Sequence, residues 1–159
     1  MNSQVIQIHQ YRSEWKNYFR DLTVEWLLKY FSVTEEDEKI LANPGKIISD
    51  GGVVLFATYR GEIAGTLALL KKDNQVVELI KMGVKESFHG HGIGKALMDA
   101  AILHAREMNA KIIFLETATK LTAAISLYKK AGFIQTGEEE IHPVFKRRTF
   151  RMELDLTKS

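Results

Sequence analysis

The chain has 159 residues, and its 22 basic and 20 acidic side chains leave a formal net charge of only +2. It contains no cysteine, which excludes disulfides, thiolate metal sites and a cysteine nucleophile together and leads us to expect a reducing, cytoplasmic setting. The charges are interspersed, no segment approaches the ~20 apolar residues of a membrane span, and Met1 to Tyr11 lacks a signal-peptide apolar run, so neither nucleic acid nor membrane is expected as a partner.

In chain order, Val5 to Ile8 reads as a short first strand, and Trp15, Phe19, Leu22 and Trp26 recur at helical spacing. A weaker helical stretch covers Thr34 to Asn43. Val53 to Tyr59 and Ile63 to Leu70 are β-rich runs joined at Arg60-Gly61-Glu62, which predicts an antiparallel hairpin. A strand over Val76 to Val84 leads into a helix from Gly92 to Met108, followed by a strand over Ile112 to Thr117 and a helix from Thr122 to Ala131 that stops at Gly132. Phe133 opens another strand. In the last strand Phe150, Met152, Leu154 and Leu156 alternate with Thr149, Arg151, Glu153 and Asp155. No repeat or low-complexity tract divides the chain and Pro44 and Pro143 are its only prolines, so one domain over residues 1–159 is expected. These elements make an α/β fold: a mixed, mostly antiparallel sheet of six or seven strands with helices on both faces.

The turn His89-Gly90-His91-Gly92-Ile93-Gly94-Lys95 lies between a strand and a helix, where free backbone N–H groups and the helix dipole favour an anion. Its spacing is neither the dinucleotide G-x-G-x-x-G nor the P-loop, because Ala96 follows Lys95 where Ser or Thr is required. The spacing instead resembles the Gln/Arg-x-x-Gly-x-Gly/Ala pyrophosphate loop of the GNAT superfamily of N-acetyltransferases, with His89 in first position and Gly92 and Gly94 as the glycines. Two further segments agree: Glu78 to Val84 looks like that family's fourth strand, and Ala124-Ile125-Ser126-Leu127-Tyr128-Lys129-Lys130-Ala131-Gly132-Phe133 looks like its A-x-x-x-Y-x-x-x-G-F helix and following strand. Three positions depart from the pattern: His89 replaces Gln or Arg, Glu86 stands where proline is common, and Leu121 where Asn is.

The resemblance implies acetyl-coenzyme A as acyl donor, wedged where strands four and five splay apart. Its pantetheine arm would pair with the backbone of Met82, Gly83 and Val84, and its pyrophosphate would meet His89, Gly90, His91, Gly92, Ile93, Gly94 and Lys95. No metal is implied. The acceptor would be a primary amine, on a small molecule or a protein, attacking the thioester directly in a ternary complex. An amine resembling lysine has a pKa near ~10.4 and must lose a proton first, so a base is needed. Simple alternation puts Glu78 on one face with Val76, Ile80, Met82 and Val84, making it the first candidate, and pairing with a nearby lysine is the plain alternative. Glu116, on the fifth strand, is the rival. Tyr128 is the candidate proton donor to the departing thiolate. The Lys146-Arg147-Arg148 and Glu138-Glu139-Glu140 runs read as solvated ends of a hairpin loop, and Trp15, Phe19, Leu22 and Trp26 as core. A non-catalytic acyl-coenzyme A binding module stands as the competing function. The sequence fixes neither the acceptor nor the oligomeric state, and a homodimer is one arrangement left open.

Overall fold

Four antiparallel strands form the first half of the sheet: β1 (Ile6–Gln10), β2 (Val53–Tyr59), β3 (Glu62–Lys71) and β4 (Val76–Val84). In the computed structural model, which describes residues 5–158, Tyr59 faces Glu62 across a two-residue turn. Arg60 and Gly61 both have positive φ there, 50° and 86°, the hand that matches strand twist. β5 (Ile112–Thr117) then joins parallel to β4, and β8 (Arg148–Asp155) pairs antiparallel to β5. Two-residue strands β6 (Ile134–Gln135) and β7 (Glu140–Ile141) pair with β8 and bring the described sheet to eight strands, above the six or seven expected, because pairs this short leave no alternation to read.

Helices α4 (Ile93–Glu107) and α5 (Thr122–Ala131) cover one face, where Leu97, Met98, Ala101 and Tyr128 pack on Leu67, Leu79, Ile113, Leu115 and Met152. On the other face α1 (Lys16–Tyr30), α2 (Glu35–Leu41) and α3 (Pro44–Ser49) bring Phe19, Leu41 and Ile47 against Val54, Phe56 and Ala68. The helical stretch expected over Thr34 to Asn43 is α2, and α3, which begins just beyond it, was not anticipated. Thr34 caps α2 in a reciprocal box with Asp37, and Pro44 starts α3 in the first turn, where its missing N–H costs nothing.

Strand alternation fails within β4, besides a register shift at Ala57/Thr58 between β2 and β3. Ala68 pairs with Ile80 and Thr66 with Gly83, so β4 carries an extra residue, and Lys81 sits at this bulge with φ 52°. The bulge sends Met82 and Val84 to the α4 face while Ile80 stays with the α1 side. Glu78 thus does not share a face with Met82 and Val84, as simple alternation had it: the flanking Val77 and Leu79 point toward α4, and Glu78 points the opposite way.

Candidate active site

Pairing between β4 and β5 is confined to Val76–Glu78 against Ile112–Phe114. Beyond Glu78 the two parallel strands diverge, leaving the β5-facing main chain of Met82, Gly83 and Val84 without a sheet partner among the described residues. Trp26 packs on Gly83 from the α1 side so closely that a Cβ there would lie 2.5 Å from the indole, which makes glycine the residue that fits. The turn after β4 runs to the N-terminus of α4. Gly90 and Gly92 take φ of 84° and 82°, and the N–H of Ala96 is the first to find a carbonyl, that of Gly92 at 3.1 Å. Among the described residues the N–H groups of Ile93, Gly94 and Lys95 have no acceptor, so they are aimed outward from the positive end of the helix.

The two glycines of the motif differ in role. A Cβ on Gly92 would meet nothing within 4 Å, whereas one on Gly94 would lie 3.2 Å from Leu127 Cδ2 and touch Met82 and Val84. Gly94 therefore also lets α4 and α5 approach over β4, and a valine there would disturb packing before it reached a phosphate. Gly92→Ala is the cleaner test. Left-handed backbone costs a residue with a Cβ about 1–2 kcal/mol, so melting should fall by a few degrees; if coenzyme A seats here, as the sequence resemblance implies, its affinity should also fall at least ~10-fold because the methyl enters the anion cradle. An affinity that stays at the wild-type value removes the cradle from Gly92. The imidazoles turn away from this loop: His89 Nε2 is 2.8 Å from the carbonyl of Val84, at the strand end, and His91 packs on Tyr59 at 4.8 Å. Lys95 pairs with Asp99 at 2.8 Å.

The three candidate catalytic side chains lie on both faces of the sheet. Tyr128 is buried on the α4 side, its ring 5.9 Å from Phe133, and burial pushes its phenol up to about 12. Glu78 and Glu116 lie on the other side, where Glu78 registers with Phe114 and Glu116 with Arg151. Only the divergence of β4 from β5 joins the two faces here. Glu78 is ion-paired to Lys72 at 3.3 Å, the plain alternative weighed from sequence. Glu116 has no ion pair among the described residues. It opens on a cleft of about 370 Å³ shared with His142 and Thr149, and partial burial, helped by the negative charge of Glu78, raises its carboxyl.

A cluster that sequence reasoning missed lies beside them. Asp37 is fully buried and accepts from the backbone N–H and hydroxyl of Thr34, from the ammonium of Lys81 at 2.5 Å and from both terminal nitrogens of Arg147. Burial alone would raise its carboxyl, but the hydrogen bonds from Arg147, Lys81 and Thr34 outweigh it and hold the group at about 2. Lys81 reaches the cluster because the bulge turns it toward α2. Burial lowers its ammonium, against the opposing pull of Asp37. Arg147 was read from sequence as part of a solvated basic run; its side chain is only 14% exposed, since it crosses to Asp37 and to the carbonyl of Ser32 at 2.8 Å. The legible signals were Thr34-x-x-Asp37 at capping-box spacing and a lysine inside the apolar run of β4.

Comparison with known proteins fits this geometry. The acetyltransferase (GNAT) family matches residues 9–133. The chain belongs to that family. It is similar to the N-acetyltransferase YvbK of Bacillus subtilis, itself uncharacterized, with 38% identity over 101 residues covering 61% of this chain and 65% of that protein. The chain thus spans less than two thirds of this curated relative. Among solved structures, a GNAT-family acetyltransferase from Staphylococcus aureus Mu50 superimposes with a TM-score of 0.82 at 24% identity, covering 95% of this chain and 99% of the other. A Bacillus subtilis acetyltransferase in complex with CoA does so with a TM-score of 0.71 at 25% identity, over 94% and 98% of the two chains. Among the described residues of this GNAT member, no helix is long and apolar enough to cross a membrane.

Proposed function

We propose that this GNAT-family chain transfers an acetyl group from acetyl-coenzyme A to a primary amine by direct attack in a ternary complex. The observation that carries the reading is the divergence of β4 from β5 beyond the Glu78–Phe114 pair, ending at a helix whose first N–H groups are free. The fit is chemical: the open edge of Met82 to Val84 offers donors and acceptors in strand-like register to the amides of a pantetheine arm, and Gly90 to Lys95 offer N–H groups to a pyrophosphate. The coenzyme A held by the related Bacillus subtilis structure supports this choice of donor.

In the proposed step the amine nitrogen attacks the thioester carbonyl carbon, the carbon–sulfur bond breaks, and the sulfur leaves as thiolate. Glu116 takes the amine proton, directly or through one water. Its raised carboxyl and lack of an ion pair favour it over Glu78, whose charge is engaged by Lys72. We assign Tyr128 to the other end of the bond change. A phenol held at about 12 stays protonated throughout the working range, so its O–H is always offered to the sulfur. A thiol resembling cysteine has a pKa near ~8.5, so complete proton transfer from this phenol is uphill, and Tyr128 acts chiefly as a hydrogen-bond donor to the developing thiolate.

Ligand binding tests the reading before any acceptor is known. Acetyl-coenzyme A at ~100 times its dissociation constant adds about 2.7 kcal/mol to native stability, a rise of roughly 5–10 °C for a chain of this size, and ATP or NAD at equal concentration should add nothing. A melting temperature indifferent to millimolar acetyl-coenzyme A would falsify the donor assignment.

A further inference from the structure

A cleft of about 670 Å³ opens between the α1–α2 connection and the β7–β8 hairpin, beyond the end of β5, and its walls include Tyr30, Phe31, Lys120, Glu139, Phe145 and Arg147. Its charges do not balance locally. Lys120 and Arg147 stack on the same ring, Phe31, at 4.5 and 5.3 Å, and Lys81 and Arg147 both stack on Phe145, at 4.7 and 5.3 Å. Three cations therefore converge on two adjoining aromatic rings, and the carboxylate among them is that of Asp37, whose oxygens already take bonds from Thr34, Lys81 and Arg147.

The remaining acids are committed elsewhere or solvated. Glu139 faces Arg148 at 3.8 Å and Thr119 at 3.4 Å, Glu36 pairs with Lys39 at 3.2 Å, and Glu35 is exposed. Glu78 is held by Lys72. On the cation side, the Nζ of Lys120 spends one donor on the carbonyl of Tyr30 at 2.7 Å, the Nζ of Lys81 spends one on Asp37, and the buried Nε of Arg147 has no partner among the described residues. An ammonium carries three donors and a guanidinium five, so the cluster has more donors and more positive charge than its own acceptors satisfy. Lys81 and Arg147 are largely buried with Asp37 as their one paired carboxylate, so an anion held by the exposed Lys120 at the mouth would gain from the positive charge behind it.

We propose that this cleft takes the carboxylate end of an amine acceptor, seated on Lys120 beside Arg147 against the Phe31 ring, while the amine end reaches back toward Glu116 on β5. The inference rests on the acetyl-transfer reading for the amine end only. The exposed ammonium of Lys120 keeps two donors for a carboxylate, and Arg147, whose terminal nitrogens already give three bonds to Asp37 and Ser32, supplies the second positive charge beside it. The aromatic walls of Tyr30, Phe31 and Phe145 accept the apolar part of such a molecule.

The test compares matched probes: the common N-acetyl amino acids and their C-terminal amides, which mimic the product and differ only in the charge of the carboxyl end. Binding is read by thermal shift and calorimetry, with and without coenzyme A. We expect at least one acid to bind ~10-fold or more tightly than its amide, a 10-fold ratio being 1.4 kcal/mol. Lys120→Gln, on an exposed side chain, should erase that preference while leaving the coenzyme A shift in place. Equal binding of acid and amide in every pair, no binding by either, or a preference that survives Lys120→Gln overturns the proposal. A missing coenzyme A shift counts against the transferase reading alone, because the acid–amide comparison is also made without coenzyme A.

Discussion

Asp37→Asn should lower the melting temperature by about 6–20 °C. The asparagine oxygen can still accept hydrogen bonds, but it carries no charge, and Lys81 and Arg147 are then left together behind α2 with none of their own counter-charge. Removing one partner from a buried ion cluster costs about 3–5 kcal/mol, and each kcal/mol moves the transition of a chain this size by ~2–4 °C. The wild-type protein should show the same dependence through pH. Its carboxyl is held at about 2, below the ordinary ~3.9, so the folded state binds the proton less readily than the unfolded state. The stabilisation is fully present above the unfolded value and is lost as pH falls through the folded one, amounting to about 2–3 kcal/mol between roughly pH 4 and 2. Urea midpoints measured across that window should fall for the wild type and stay flatter for Asp37→Asn. Parallel curves would mean that the buried carboxylate contributes no charge-dependent stability.

This cluster marks where sequence reading stops. Period-2 and period-3.6 patterns located α4, β5, α5 and β8 because each of these elements has one face buried and one outward; the β2–β3 hairpin, buried on both faces, showed instead as two β-rich runs about a glycine turn, and Gly132, at φ 107°, ended α5 as its type demanded. The same patterns could not see the bulge at Lys81. Alternation carries straight through one extra residue, and only the register against β3 shows that Met82 and Val84 changed sides. Nor could they see that Arg147, set between Lys146 and Arg148, folds back to an aspartate 110 residues away. That contact depends on how the β7–β8 hairpin lies over α2, a long-range placement with no local signature. For the candidate site the division is similar. The glycine turn and Tyr128 announced themselves through spacing, whereas the order of merit between Glu78 and Glu116 depended on which of them a lysine would reach.

That order sets up the largest expected effect on rate. Glu116→Gln should reduce kcat by ~10² to 10⁴, the usual span for a lost general base, and the deficit should narrow as pH approaches the ~10.4 of the amine, which then sheds its proton unaided. Glu78→Gln removes an ion pair with Lys72 and should cost stability more than turnover. Tyr128→Phe separates the donor from the base. Its ring packs with Phe133 in the core, so the variant should fold and bind acetyl-coenzyme A as the wild type does, while kcat drops because the thiolate loses its hydrogen bond. That loss should be the same at every pH up to about 11, since a phenol held at about 12 does not ionise in that range, and this flat profile distinguishes it from the rescue expected for Glu116→Gln. A deficit that disappears at high pH in Glu78→Gln but not in Glu116→Gln moves the base to β4. A Tyr128→Phe protein with wild-type turnover leaves the phenol as core packing and nothing more.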